Sequence, residues 1–282
     1  MMIKSVFEIL MLIAMGLPQL PPPRDQPVKT EPVEPFKVVN NIYFVGPESE
    51  HSSFLITTPQ GNILINTGFD RQVPTIQASI EKLGFKMSDI KIILGSHAHV
   101  DHTEGDARMK EITGATVMVM AEDVADIKKI VPKESQKAHP IDKIFHDGDK
   151  ITLGNVTLTA VLTPGHTPGC TTYMWKTQDA GKNLDVVFGC GYGAGGRKLV
   201  NNKDYPTVIE DYKKTYKVAK TMRADVFLGS HGNHWGLMDK LSRVGKGGNP
   251  FIDATTLPRH VEAYEKEFEA ELAKQQAAAG AN

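Results

Sequence analysis

Four side chains able to hold a metal fall within six residues: His97, His99, Asp101 and His102, in the run KIILGSHAHVDHTEG from Lys91 to Gly105. The apolar triplet Ile92-Ile93-Leu94 has the length of a buried strand and stops at Gly95-Ser96, so these groups ride on chain that is leaving a strand. Alternation along extended backbone points His97 and His99 to one side. A turn then brings Asp101 and His102 round to an adjacent position. Imidazole suits zinc, and His and carboxylate groups crowded into one turn can converge on a small site. Two more histidines share the setting of His97, past an apolar strand and beside glycine: His166 in AVLTPGHTPG and His231 in VFLGSHG. Six ligands are too many for one tetrahedral zinc. Two metals use them well, and two close divalent ions give a hydroxide at neutral pH from a bridging water. His51, His139, His146, His234 and His260 lack that setting and read as surface or core residues. His234, three residues past His231, is the one able to reach the same site.

These groups need elements to position them. Short β-like runs start at Phe36, with Asn40-Asn41 as a turn, and continue through Ser52–Thr58 and Ile63–Ile65. Apolar spacing predicts helices over Pro74–Leu83, Glu104–Ile112, Ala121–Ile130, Tyr205–Met222 and Pro258–Lys274. Strands are expected at Thr116–Met120, around Gly154-Asn155, at Thr171–Trp175, Val186–Phe188 and Val226–Leu228, with a polar loop over Val131–Pro140. Hairpins rule out a single parallel sheet. Two sheets face to face with helices outside satisfy the order.

The chain has 282 residues, 40% hydrophobic and 23% charged, with a net charge of −1. That is ordinary for a soluble globular protein and leaves no basic field for nucleic acid. Residues 1–19 have the layout of an export signal: Lys4, then an apolar stretch from Phe7 to Leu17 too short to span a bilayer. Residues 20–35 read as a proline-rich linker and 36–282 as one domain. The mature chain is expected to be periplasmic or secreted, free of membrane, and a monomer. Cys170 and Cys190 are the only cysteines. One disulfide fits an exported chain, and the absence of a C-x-x-C pair argues against a cysteine-based zinc or redox site.

The motif HAHVDH at 97–102, with TPGHTPGCTTY and LGSHGNHWGL, resembles the metallo-β-lactamase superfamily, and the resemblance runs from Phe36 to the closing helix. HSSFLITTPQGNILINTG, GHTPGCTT and NPFIDATTLPRHVEAYE are similar to subclass B3 of those enzymes. The resemblance implies an α/β fold, an αββα sandwich of two mixed β-sheets with helices on the outer faces. It implies two Zn2+ per chain, one on His97, His99 and His166, the other on Asp101, His102 and His231. A metal-bridging hydroxide would attack the amide of a β-lactam, a small-molecule substrate, with Asp101 orienting the water and shuttling its proton. The family places serines after the strand ending in Phe188 to hold the substrate carboxylate. Here Gly191 and Gly193 take those positions, so N–H groups of the loop backbone, water, or a cation such as Arg197 or Lys198 is expected to bind it instead. Cys190 reads as a non-ligand. Other hydrolases of this scaffold, acting on thioesters, lactones or phosphodiesters, carry an aspartate that bridges the metals after that strand. Neither Cys190 nor Gly191 is aspartate, which favours the β-lactamase reading. A metal-binding protein without catalysis would need only closed coordination, whereas this ligand set leaves positions open.

Overall fold

The computed structural model describes residues 30–134 and 136–280. The expected export signal and the first part of the linker lie outside the described residues. The first sheet holds β1 (Phe36–Val39), β2 (Ile42–Phe44), β3 (Phe54–Thr58), β4 (Gly61–Ile65), β5 (Ile90–Leu94), β6 (Thr116–Met120) and β7 (Lys143–Phe145), in chain order. Its first four strands are antiparallel, and β4 to β7 are parallel. The second sheet, ordered β12-β11-β10-β9-β8, holds β8 (Lys150–Leu153), β9 (Val156–Leu162), β10 (Thr171–Asp179), β11 (Lys182–Gly189) and β12 (Val226–Gly229). The helices are α1 (Val73–Lys82), α2 (Val100–Thr103), α3 (Asp106–Thr113), α4 (Val124–Ile127), α5 (Val208–Ala219), α6 (Gly232–Trp235), α7 (Leu237–Ser242) and α8 (Thr256–Gly280).

Alternation along the strands builds the layers. Phe54, Ile56, Ile63, Ile65 and Leu94 face inward onto Leu158, Tyr173, Trp175 and Phe188 of the second sheet. Their neighbours Leu55, Leu64 and Ile93 face outward, onto Val73, Ile76 and Ile80 of α1 and Met109 of α3. Tyr212, Tyr216 and Phe268 of α5 and α8 close the other side. The result is the αββα sandwich of two mixed sheets that the resemblance implied.

Local departures from the sequence reading have physical causes. The helix expected over Glu104–Ile112 starts only at Asp106, after Gly105, where a Cβ would sit 2.6 Å from Val73 Cγ2 and 2.8 Å from the Thr67 carbonyl. That close approach packs the junction of α2 and α3 against the start of α1 and the chain leaving β4. The helix expected from Tyr205 starts only at Val208, beyond Pro206. The Ala121–Ile130 helix reduces to a 3-10 turn and the four residues of α4. Strand β7 is too short to show in sequence and exists by parallel pairing to β6.

One core residue gives the fold a pH dependence. His260 of α8 is buried against Tyr192, Phe227 and Tyr264, and burial pulls its pKa down to about 3. The unfolded imidazole takes up its proton near 6.5, so stability is lost as pH falls below that value. Between pH 7 and 5 the loss from this residue is about 2 kcal/mol. Denaturant unfolding of metal-free protein should show this loss, and His260→Phe should remove about that much of it.

Candidate metal centre

The three histidine-bearing stretches meet because of strand direction. β9 and β11 are each antiparallel to β10, and β12 is parallel to β11, so all three end at one edge of the second sheet. That edge presents His166 after β9, Cys190 after β11 and His231 after β12. In the first sheet β5 runs parallel to β4 and delivers His97 beside the end of that strand. β3 starts where β4 ends, Phe54 opposite Ile65, so His51 reaches the same edge from the opposite chain direction.

Two adjoining clusters result. The rings of His97, His99 and His166 form a triangle with centroids 4.7, 4.6 and 4.8 Å apart, and His97 Nε2 faces His99 Nδ1 at 3.1 Å. In the second cluster Asp101 Oδ2 lies 3.0 Å from His102 Nε2 and 3.6 Å from His231 Nε2. Those two nitrogens are 3.2 Å apart. The His97 and His102 rings, 4.3 Å apart, join the clusters.

The protonation states suit cation binding. Burial and the crowd of imidazoles hold His97 well below its ordinary pKa. Burial also lowers His102, outweighing the pull of Asp101. Burial alone would raise the Asp101 carboxyl, but His102, His231 and His51 outweigh it and hold it far below the usual carboxylate range. His97 and His102 are thus held as neutral imidazoles and Asp101 as an ionised carboxylate, the forms that ligate metal. Tetrahedral coordination at about 2.0–2.1 Å places neighbouring ligand atoms about 3.3 Å apart. The spacings of 3.0 to 3.6 Å match. The residues present therefore fit a pair of divalent cations.

Surrounding groups stand against four of these rings. The Gly193 carbonyl, which can only accept, lies 3.2 Å from His166 Nδ1; this puts the proton on Nδ1 and the lone pair on Nε2. Tyr212 donates to the same carbonyl at 2.8 Å. Ser96 Oγ is 3.0 Å from His97 Nδ1. Asn66 accepts from the Ser96 N–H at 2.9 Å and sets its amide nitrogen 3.2 Å from His102 Nδ1. Asn66 takes a φ of 61°, which asparagine tolerates better than most side chains. Glu50 Oε1 lies 3.1 Å from His231 Nδ1.

The loop after β11 is shaped by what packs on it. A Cβ at Gly191 would stand 3.3 Å from the His166 ring, and one at Gly193 would meet Tyr264 at 2.7 Å. Gly191 is buried under the His166 ring, and Gly193 holds His166 through its carbonyl. Arg197 donates to the backbone carbonyl of His166, and Lys198 is exposed. Cys170 and Cys190 form a disulfide with Cys190 Sγ 3.5 Å from His97 Nδ1. The bridge ties the His166 loop to the glycine loop directly beneath a candidate ligand. Both sulfurs being in the bridge, neither is a thiolate able to ligate.

Of the residues read as surface or core, His146 is exposed and His139 forms a buried pair with Asp106 at 2.6 Å. His234 packs behind His231, between it and His260, with ring centroids at 5.0 and 5.2 Å. His51 departs from that reading. Its Nε2 lies 3.7 Å from Asp101 Oδ2, inside the second cluster. Sequence reading also passed over Asp123, whose buried carboxylate accepts from Ala98 N–H, Thr167 O–H and Gly169 N–H.

A model of the metallo-β-lactamase superfamily matches residues 46–176. The metallo-β-lactamase FEZ-1 from Legionella gormanii is 44% identical, with a TM-score of 0.83 over 88% of this chain and 98% of its own. The subclass B3 metallo-β-lactamase BJP-1 of Bradyrhizobium japonicum is 37% identical, with a TM-score of 0.81 over 88% and 96%. Among curated relatives, the hydroxyacylglutathione hydrolase of Hyphomonas neptunium is 32% identical over 116 residues, 41% of this chain and 40% of that protein. The one from Chelativorans sp. is 30% identical over 139 residues, 49% and 47%. The chain spans about half or less of the length of these curated relatives. Matched over nearly the whole length of solved enzymes and carrying both ligand clusters, the chain belongs to the metallo-β-lactamase superfamily of hydrolases and is most similar to its subclass B3.

Proposed function

We propose that the chain is a zinc-dependent β-lactamase, acting as an exported monomer on small β-lactams and so protecting its host from those antibiotics. One observation carries this choice over thioester hydrolysis. The likeness to metallo-β-lactamases extends over 98% of a solved relative, whereas the hydroxyacylglutathione hydrolases match over about half their length or less. Cys190 after β11, where thioester hydrolases of this scaffold carry a bridging aspartate, supports the same reading. The Cys170–Cys190 disulfide fits an oxidising compartment and hence export.

In this reading His97, His99 and His166 hold one zinc, and Asp101, His102 and His231 the other. Bound there, the ions supply a nucleophilic hydroxide at neutral pH and positive charge for the leaving nitrogen. Asp101 would orient the bridging water and shuttle its proton toward the leaving nitrogen. Gly193 and Ser96 fix His166 and His97, so the site is organised before substrate arrives. N–H groups of the loop that carries Gly191 and Gly193 would meet the substrate carboxylate, the Gly193 carbonyl being taken by His166 and Tyr212.

The test is an assay of zinc-loaded protein against a penicillin, a cephalosporin, a carbapenem and S-lactoylglutathione. At least one β-lactam should show a kcat/KM roughly a hundredfold or more above the thioester. A preference for the thioester would reverse the assignment.

A further inference from the structure

We propose that His51 is a seventh member of the metal centre, giving the cation on Asp101, His102 and His231 a fourth protein ligand. The proposal rests on the two-metal reading of the clusters above. Three observations carry it. The first is convergence: a ring nitrogen of His51, a carboxylate oxygen of Asp101 and a ring nitrogen of His231 all lie within 4.8 Å of one another. The contact from His51 Nε2 to Asp101 Oδ2 is 3.7 Å, close to the 3.6 Å from His231 Nε2 to the same oxygen.

The second observation is the tautomer. His51 Nδ1 lies 2.7 Å from Glu48 Oε1, and Gln72 Nε2 donates to that same oxygen at 2.9 Å. Gln72 is itself anchored, its Oε1 accepting from the Phe69 N–H at 3.0 Å. A carboxylate on Nδ1 takes that nitrogen's proton as a hydrogen bond and leaves the lone pair on Nε2, turned toward the carboxylate of Asp101. A lone pair and a carboxylate oxygen facing each other call for a cation between them. Glu50 Oε1 lies 3.1 Å from His231 Nδ1, so a carboxylate stands near the outer nitrogen of both rings.

The third observation is rigidity. The His51 backbone forms an antiparallel bridge with His231. Ser52 N–H donates to the Ser230 carbonyl at 3.0 Å, and Gly232 N–H to the Glu50 carbonyl at 2.9 Å. The segment carrying His51 is therefore clamped to the segment carrying His231, and the ring is held there by backbone pairing. A fourth protein donor adds to the hold on the ion, and zinc can still accept a bridging hydroxide as a fifth ligand.

Metal-free protein titrated with Co(II), read by its visible absorption, and zinc counted by elemental analysis after dialysis against a chelator, test the proposal. Wild type should bind two ions. His51→Ala should keep one at unchanged affinity, hold the other roughly a hundredfold more weakly, and lose part of the cobalt spectrum. Glu48→Met leaves His51 in place but removes the acceptor on its Nδ1, and should weaken the same ion roughly tenfold. Circular dichroism checks that both variants are folded, and either variant alone decides the matter if the other is not. A folded variant with both affinities and the cobalt spectrum of wild type would overturn the role of His51. A wild type that binds only one ion would overturn the proposal through its foundation, an outcome distinct from the first.

Discussion

His166→Ala is expected to lose the ion held by His97, His99 and His166 and at least about a thousandfold in hydrolysis, while the fold survives. The side chain completes a triangle of rings whose other members lie 4.6 and 4.8 Å away. Two imidazoles then remain where three stood, and metal-supplied charge and nucleophile together account for several kcal/mol of the barrier. The fold should persist because the backbone of the loop is tied independently of the ring. Thr163 N–H donates to the Cys170 carbonyl, Gly165 N–H to the Thr167 carbonyl, and the disulfide anchors the end of the loop. Zinc content, kcat/KM and circular dichroism on the same preparation check all three parts. Turnover at the wild-type level under limiting zinc would show that His166 does not serve as a ligand.

How much of this centre is legible in sequence depends on how each residue gets there. His97, His166 and His231 follow strands, and chain leaving a strand beside glycine is a local signal that needs no knowledge of the partner strands. His51 precedes its strand. It reaches the same edge only because β3 is antiparallel to β4 and starts where β4 ends, a fact of pairing that no local pattern contains. The two glutamates at 48 and 50 become meaningful only once the loop is folded over Gln72 and His231. The glycine loop shows a related limit. Alignment to expected serines made Gly191 and Gly193 substrate contacts, whereas packing also explains the glycines, since His166 and Tyr264 fill the space of their side chains. The sheets themselves were readable from alternation, which sends Leu55 and Leu64 to one helical layer and Phe54 and Ile63 to the other sheet. Helix ends were less so, because Gly105 and Pro206 act through neighbours that are distant in sequence or on a scale of single residues.

Asp123 is the residue whose loss should cost the most among those sequence reading passed over. It follows β6, is 2% exposed, and joins the two loops that carry the first cluster. Oδ1 accepts from Gly169 N–H at 2.6 Å; Oδ2 accepts from Ala98 N–H at 2.8 Å and from Thr167 O–H at 2.9 Å. Ala98 sits between His97 and His99, and Thr167 follows His166, so one carboxylate sets the distance between three candidate ligands. Burial pushes its pKa up to about 6, against the hydrogen bonds that favour the ionised form. A carboxylate can accept on both oxygens, but an amide must turn its NH2 toward one set of donors. Asp123→Asn therefore leaves a buried N–H facing a donor, at a cost of roughly 1–3 kcal/mol in stability. The loops should then separate, weakening the ion on His97, His99 and His166 and lowering activity by roughly 10–100-fold. The ion on Asp101, His102 and His231 should be unaffected, since its ligands are fixed by Asn66 and Glu50 instead. Metal titration of the variant separates the two ions. Equal weakening of both would show that Asp123 supports the fold in general, and wild-type affinity at the first would show that the disulfide alone holds the loops together.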